Sequence, residues 1–201
     1  MKALKVTSGL LVLLSVFYLV GPHPPTPKYD TTIPSVPMQP DSLEKYVLQH
    51  EQAHILKPGN EAQIVWNNDS LKTQTEYAIV YLHGFSASQM EGDPVHRQFA
   101  KHFGCNLYLS RLQAHGVDTT DPLGNFTAEG LWNSAVEALA IGKRLGKKVI
   151  LMSTSTGGTL ALKLATIYPD IAGLFLFSPN IEINDNKAWL LNNPWGLQIA
   201  K

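Results

Sequence analysis

Residues 149–160 read VILMSTSTGGTL: an apolar run breaks into small and hydroxyl residues and resumes as a second apolar run. A run of four apolar residues bounded by such a break predicts a buried strand, and the run that follows has the length of a helix. A nucleophile held on a sharp strand-to-helix turn needs small neighbours two residues before it and two and three after it, because its backbone is strained and closely approached. Ser153, Gly157 and Gly158 stand at those places around Ser155. The stretch therefore predicts a nucleophile elbow centred on Ser155 and, with it, acyl-transfer chemistry.

Working outward, strands and helices alternate. Residues 77–82 (YAIVYL) and 106–110 (NLYLS) read as buried strands, 63–66 as a short one, and 173–177 (GLFLF) as the strand after the elbow helix, 158–168. Helices are expected over 93–102 and 128–145, the second stopped by Gly146. Asp41, Ser42, Leu43 and Glu44 read as a capping box opening a helix to about residue 56, before Pro58 and Gly59. This alternation predicts an α/β fold with a doubly wound, mainly parallel sheet and helices on both faces. No internal repeat is present. With 201 residues, 44% hydrophobic and 16% charged, one domain is expected. The expected boundaries are 41–180 for the main domain and 181–201 for the start of a further region.

The N-terminus carries its own signal. Lys2 and Lys5 precede an uncharged run, 6–20, that ends at Gly21 and Pro22. Bulky residues and a proline at the exit argue against a cleavage site. The expectation is an uncleaved signal anchor, 1–21, whose lysines leave the rest of the chain outside the cytoplasm, with secretion as the alternative. Its length is marginal for a span of ~17–25 residues. Residues 22–40, rich in proline, are expected to form an extended tether. Sixteen basic residues balance sixteen acidic ones, so no nucleic-acid partner is implied. The single cysteine, Cys105, reads as a small buried hydrophobe.

An oxyanion hole needs two backbone N–H donors, one from the residue after the nucleophile and one from the loop following an earlier strand. Thr156 and Phe85 fill those places, the latter in His83-Gly84-Phe85 directly after the strand 77–82. A phosphate loop is disfavoured, since no Lys-Ser or Lys-Thr pair follows the glycines. LHGF at 82–85, RLQAHG at 111–116, STSTGG at 153–158 and SPN at 178–180 resemble the α/β-hydrolases of the monoacylglycerol lipase and serine aminopeptidase-like group. The resemblance covers about residues 60–180. It implies a serine hydrolase of carboxylic esters, esterase- or lipase-like, with Ser155 as nucleophile and Phe85 and Thr156 as oxyanion donors. It also implies a cap beginning near Leu190, a lipophilic small-molecule ester as substrate, and no cofactor. Ser153 stands where the family usually has glycine.

In that family the triad runs Ser, acid, His in chain order. All seven histidines here precede Ser155, so triad acid and histidine are expected beyond Lys201, and the 201 residues alone are expected to be nearly inactive. His83 and His115 read as structural, and His96 and His102 as members of a surface helix. Asp170, Glu182 and Asp185 follow Ser155 but have no histidine to orient. Two other readings compete. A hydrolase-fold module could bind a ligand without catalysis. His50-Glu51-Gln52-Ala53-His54 matches H-E-x-x-H, which on a helix puts two imidazoles on one face for zinc, with Glu51 as base. Lys57 and Asn60 occupy the places of a further Gly and His, so no metal is expected.

Overall fold

The computed structural model describes residues 2–185, 187–196 and 198. It divides into two units, 28–181 and a second made of 1–27 with 182–201. The first holds a five-stranded sheet: β1 (Gln63–Val65), β2 (Thr75–Leu82), β3 (Asn106–Leu109), β4 (Gly146–Thr154) and β5 (Ile171–Phe177). Their spatial order is β1-β3-β2-β4-β5, with β1 antiparallel to β3 and every other pair parallel. The helices of this unit are α2 (Pro40–Gln52), α3 (Val95–His102), α4 (Ala128–Leu145) and α5 (Thr156–Ile167), while α1 (Lys2–Leu19) belongs to the other unit.

Side chains alternate across a strand, and β2 uses both faces. Ala78, Val80 and Leu82 pack with α2, α4 and α5 around Leu139, Leu151 and Trp132, whereas Ile79 and Tyr81 pack with Ala100, Leu107 and Met152 beneath α3. This two-sided burial explains why the strand is apolar throughout. Gly146 closes the α4–β4 junction, because a Cβ there would lie 2.3 Å from Ala78 N. The doubly wound architecture expected from the sequence is the one observed.

Three expectations are corrected within this unit. Residues 28–40 are extended but do not form a free tether. The indole Nε1–H of Trp132 donates to Asp30 O, Tyr168 Oη–H to Thr31 O at 2.8 Å, and Lys28 N–H to Glu129 at 3.1 Å. Val36 is buried, and Ile33, three residues earlier, packs on the same cluster. That spacing suits an extended chain with three residues per turn. The capping box does not form: Gln39 is the N-cap, Pro40 opens the helix, and Glu44 accepts instead from Trp66 Nε1 and Lys72 Nζ, both at 2.7 Å. Finally, α2 stops at Gln52, short of 56, because the next residues pair with a distant segment. Lys57 N–H donates to Gly116 O and Asp118 N–H to Ile55 O, making a bridge between Leu56 and Val117.

In the other unit the apolar run is helical, but among the described residues no helix is long and apolar enough to cross a membrane. Eighteen residues rise about 27 Å against a hydrocarbon core of ~30 Å, and α1 includes Lys2, Lys5 and Ser8. The expected spanning anchor therefore has no support among the described residues. Trp195 stacks on Phe17 with ring centroids 4.8 Å apart, and its N–H donates to Pro22 O. A short helical turn, Ala188–Asn192, lies in the region expected to begin the cap, of which Asn186, Leu197, Ile199, Ala200 and Lys201 fall outside the described residues.

Candidate active site

Ser155 stands between the last residue of β4 and the first of α5, with φ +49° and ψ −115°. For a residue with a Cβ this backbone is strained, by of order 1–3 kcal/mol. The surroundings over-determine it. Ser155 N–H donates to Phe177 O at 2.9 Å, at the end of β5, and Ser155 O accepts from Gly158 N at 2.9 Å and Asn180 N at 3.0 Å. Thr159 Oγ1–H closes the same loop on Asn180 O.

Each small neighbour has a steric reason. A Cβ on Gly157 would lie 2.0 Å from Leu82 O and 2.7 Å from His83 O, so the helix start presses on the backbone leaving β2. A Cβ on Gly158 would meet Pro179 at 2.7 Å. Ser153 is fully buried beneath the turn, where glycine would leave space.

The loop after β2 reaches the same place. A Cβ on Gly84 would be 3.4 Å from Ser155 Cβ. Gly84 O accepts from Ala87 N–H at 3.3 Å and lies 2.9 Å from His83 Nδ1. In a trans peptide the N–H of the next residue points from the opposite edge, so Phe85 N–H leaves away from both, and among the described residues it has no acceptor. Thr156 opens α5, and first-turn N–H groups lack an intrahelical acceptor. Phe85 itself is 52% exposed, its ring against His115 and Phe126.

The histidines are placed as supports. Leu112 N–H donates to His83 Nε2 at 3.0 Å, so that nitrogen is unprotonated and Nδ1–H donates to Gly84 O. Burial pushes His83 down to about 4, which keeps it neutral. His115 is buried beside it, Nδ1 bonded to Gln113 O, and burial lowers its pKa also. His96 corrects the surface-helix expectation: it is fully buried, Nε2 bonded to Gln89 O and its ring edge-on to Tyr81. None of these hydrogen bonds goes to Ser155. Asp170 precedes β5 and pairs with Lys143, at the sheet edge opposite Ser155.

The H-E-x-x-H residues do not assemble. His54 falls beyond α2, and the Glu51 carboxylate is committed to Arg111 Nε and Ala62 N, both at 2.8 Å. His50 Nδ1 instead faces Glu137 at 3.1 Å, which also accepts from Tyr46 Oη. These groups line a cavity of about 840 Å³ between α2 and α4 that includes no residue of the elbow or of the 83–85 loop.

The sequence reading missed Glu91. Its Oε2 accepts Gly84 N–H at 2.8 Å and Tyr81 Oη–H at 3.3 Å. A signal was present, since Ser88-Gln89-Met90-Glu91 has capping-box spacing. Ser88 does cap the turn Gln89–Gly92, through Met90 N, but the carboxylate turns to Gly84.

A parallel sheet wound on both faces, with a strained serine between strand and helix and a backbone loop beside it, decides the fold. It is that of the α/β-hydrolases. Over 105 residues the chain is 29% identical to a thermostable monoacylglycerol lipase of Bacillus sp. (strain H-257), a match covering 52% of this chain and 41% of that relative. A solved structure from the metagenome-derived lipolytic enzymes LipS and LipT superposes with a TM-score of 0.58 at 22% identity, covering 70% of this chain and 54% of that one. An esterase of Pyrococcus furiosus gives 0.42 at 16% identity, covering 59% and 44%. The chain thus spans about half the length of the relatives it matches. No family model matches it.

Proposed function

We propose that the protein is a serine hydrolase of carboxylic esters, with lipophilic esters as the substrate class, and that Ser155 is its nucleophile. The observation that carries this reading is the positive φ of Ser155, a strain held by bonds with Phe177 at the end of β5, Gly158 in α5 and Asn180 in the loop after β5, beside the Gly84–Phe85 peptide. Strain of this kind points from geometry towards function. The likeness to a monoacylglycerol lipase supports the ester class.

The mechanism is covalent. Ser155 Oγ bonds to the acyl carbon while its proton passes to a base, and the carbonyl π pair becomes an oxyanion held by the N–H groups of Phe85 and Thr156. Collapse expels the alcohol, which takes the proton, and water releases the acid by the reverse sequence. Each oxyanion donor contributes roughly 10²–10³ in rate. We assign the base and its acid to residues beyond Lys201, since both ring nitrogens of His83 are bonded to backbone and Asp170 sits at the wrong edge. Residues 181–201 would begin the cap. Placement outside the cytoplasm is also proposed, on the export-signal pattern of Lys2 and Lys5 ahead of the uncharged run 6–20, and a reporter fused after residue 40 reads it.

The test is an activated-serine phosphonate probe. The full-length protein should label at Ser155, Ser155→Ala should abolish labelling, Ser153→Ala should largely spare it, and the 201-residue chain should label weakly. Equal labelling of wild type and Ser155→Ala would overturn the reading.

A further inference from the structure

The Glu91 carboxylate is exposed and could remain hydrated, yet it turns inward. It has no cationic partner among the described residues, and its two hydrogen bonds come from Gly84 N–H and Tyr81 Oη–H. A Cβ on Gly84 would lie 3.0 Å from Glu91 Oε1 and 3.4 Å from Ser155 Cβ. The carboxylate and the proposed nucleophile thus approach the same face of a single glycine.

We propose that Glu91 is a positioning residue of the site, holding the 83–85 loop in the conformation that presents Phe85 N–H. The proposal rests on the reading of Ser155 and Phe85 given above. Gly84 is tied on both polar groups, its N–H by Glu91 and its C=O by His83 and Ala87. With both neighbouring peptides fixed, Phe85 N–H has one direction available. Glu91 is itself held by the turn Gln89–Gly92, whose N-cap Ser88 also accepts Glu91 N–H on its carbonyl at 3.1 Å.

The same carboxylate reaches the elbow from below. Tyr81 is fully buried, and its hydroxyl lies 2.9 Å from Thr154 Oγ1, the residue before Ser155. A carboxylate only accepts, so the single phenolic proton goes to Glu91 and Thr154 Oγ1–H donates to Tyr81 Oη. Burial raises the Tyr81 hydroxyl to about 12, so the phenol stays protonated and the order of donors holds. Thr154, Tyr81, Glu91 and Gly84 thus form one line linking the end of β4 to the oxyanion loop. Loosening it displaces a donor relative to Ser155, and a misplacement of about 1 Å costs roughly 10²-fold in rate.

The experiment compares wild type, Glu91→Ala, Glu91→Gln and Tyr81→Phe in two arms. In the 201-residue chain, amide hydrogen exchange by NMR should quicken at least about tenfold at Gly84 in Glu91→Ala, with β4 and α5 amides unchanged. Glu91→Gln, which keeps an oxygen acceptor, should stay within about threefold of wild type. In the full-length protein, the limiting rate of labelling by the phosphonate probe should fall at least about tenfold in Glu91→Ala, with probe affinity within about twofold. Glu91→Gln should recover most of it, and Tyr81→Phe should fall between. Unchanged Gly84 exchange in Glu91→Ala would overturn the proposal, as would Glu91→Gln behaving like Glu91→Ala. A wild type that labels no better than Ser155→Ala would strike the Ser155 reading, and the exchange arm would still decide whether Glu91 holds the loop.

Discussion

Gly157→Ala is the substitution on which the elbow's geometry makes its largest claim. Gly157 is the second residue of α5, where alanine would ordinarily be favoured over glycine by about 1 kcal/mol. The added methyl would stand 2.0 Å from Leu82 O and 2.7 Å from His83 O. Both are backbone atoms of the strand end, so no side-chain rotation relieves the contact, and strand and helix must part by more than 1 Å. Overpacking in a close-packed interior costs typically 1–3 kcal/mol, and here it acts on backbone, so the upper end applies and a net loss of about 2 kcal/mol is expected after the helix preference is subtracted. With a urea slope of about 1–3 kcal/mol/M the denaturation midpoint should fall by roughly 1 M. The displaced segment is the one carrying Gly84 and Phe85, so labelling of Ser155 in the longer protein proposed above should drop by about 10²-fold. Gly173→Ala is the control: its methyl would meet nothing closer than 4.0 Å, and stability should hold or rise. A Gly157→Ala protein with the wild-type midpoint and labelling rate would refute the reasoning.

Two further outcomes follow from buried charge. His83 is held neutral at a pKa depressed to about 4, so between about 6.5 and 4 the unfolded chain binds a proton that the folded one refuses. Stability is therefore full above about 6.5 and falls as pH drops towards 4, by about 3 kcal/mol from this group, with His96 and His115 acting in the same direction. Urea midpoints at pH 7 and 5 measure it, and His83→Gln should flatten the difference; a slope unchanged by that substitution would exclude His83 as its source. Arg111→Met should cost about 3–5 kcal/mol, because the Glu51 side chain, 10% exposed, would be left as a buried carboxylate without its cation. Glu51→Gln in the same protein should recover part of the loss, and equal stability of single and double variants would argue against the pair.

Much of the sheet and of the turn at Ser155 was legible because it is local. The bounds of α4 follow from its period and from Gly146, and the elbow follows from three small residues around Ser155, since the steric demand of such a turn lies within the six residues 153–158. The apolar runs of β2 and β4 announce burial on both faces for the same reason. What the sequence by itself determined was therefore the order of strands and helices and the position of the strained serine. Only the tertiary structure decided the rest, because each case turns on a partner far along the chain. Residues 28–40 lie down because Trp132 and Tyr168 offer donors to their carbonyls. The H-E-x-x-H spacing dissolves because residues 55–57 pair with 116–118, taking His54 off the helix and leaving Glu51 to Arg111. Glu91 joins the site because a turn folds its carboxylate back onto Gly84. Local pattern sets backbone conformation through sterics, whereas a polar side chain's role is set by whichever distant donor or acceptor the packed chain brings within hydrogen-bond reach.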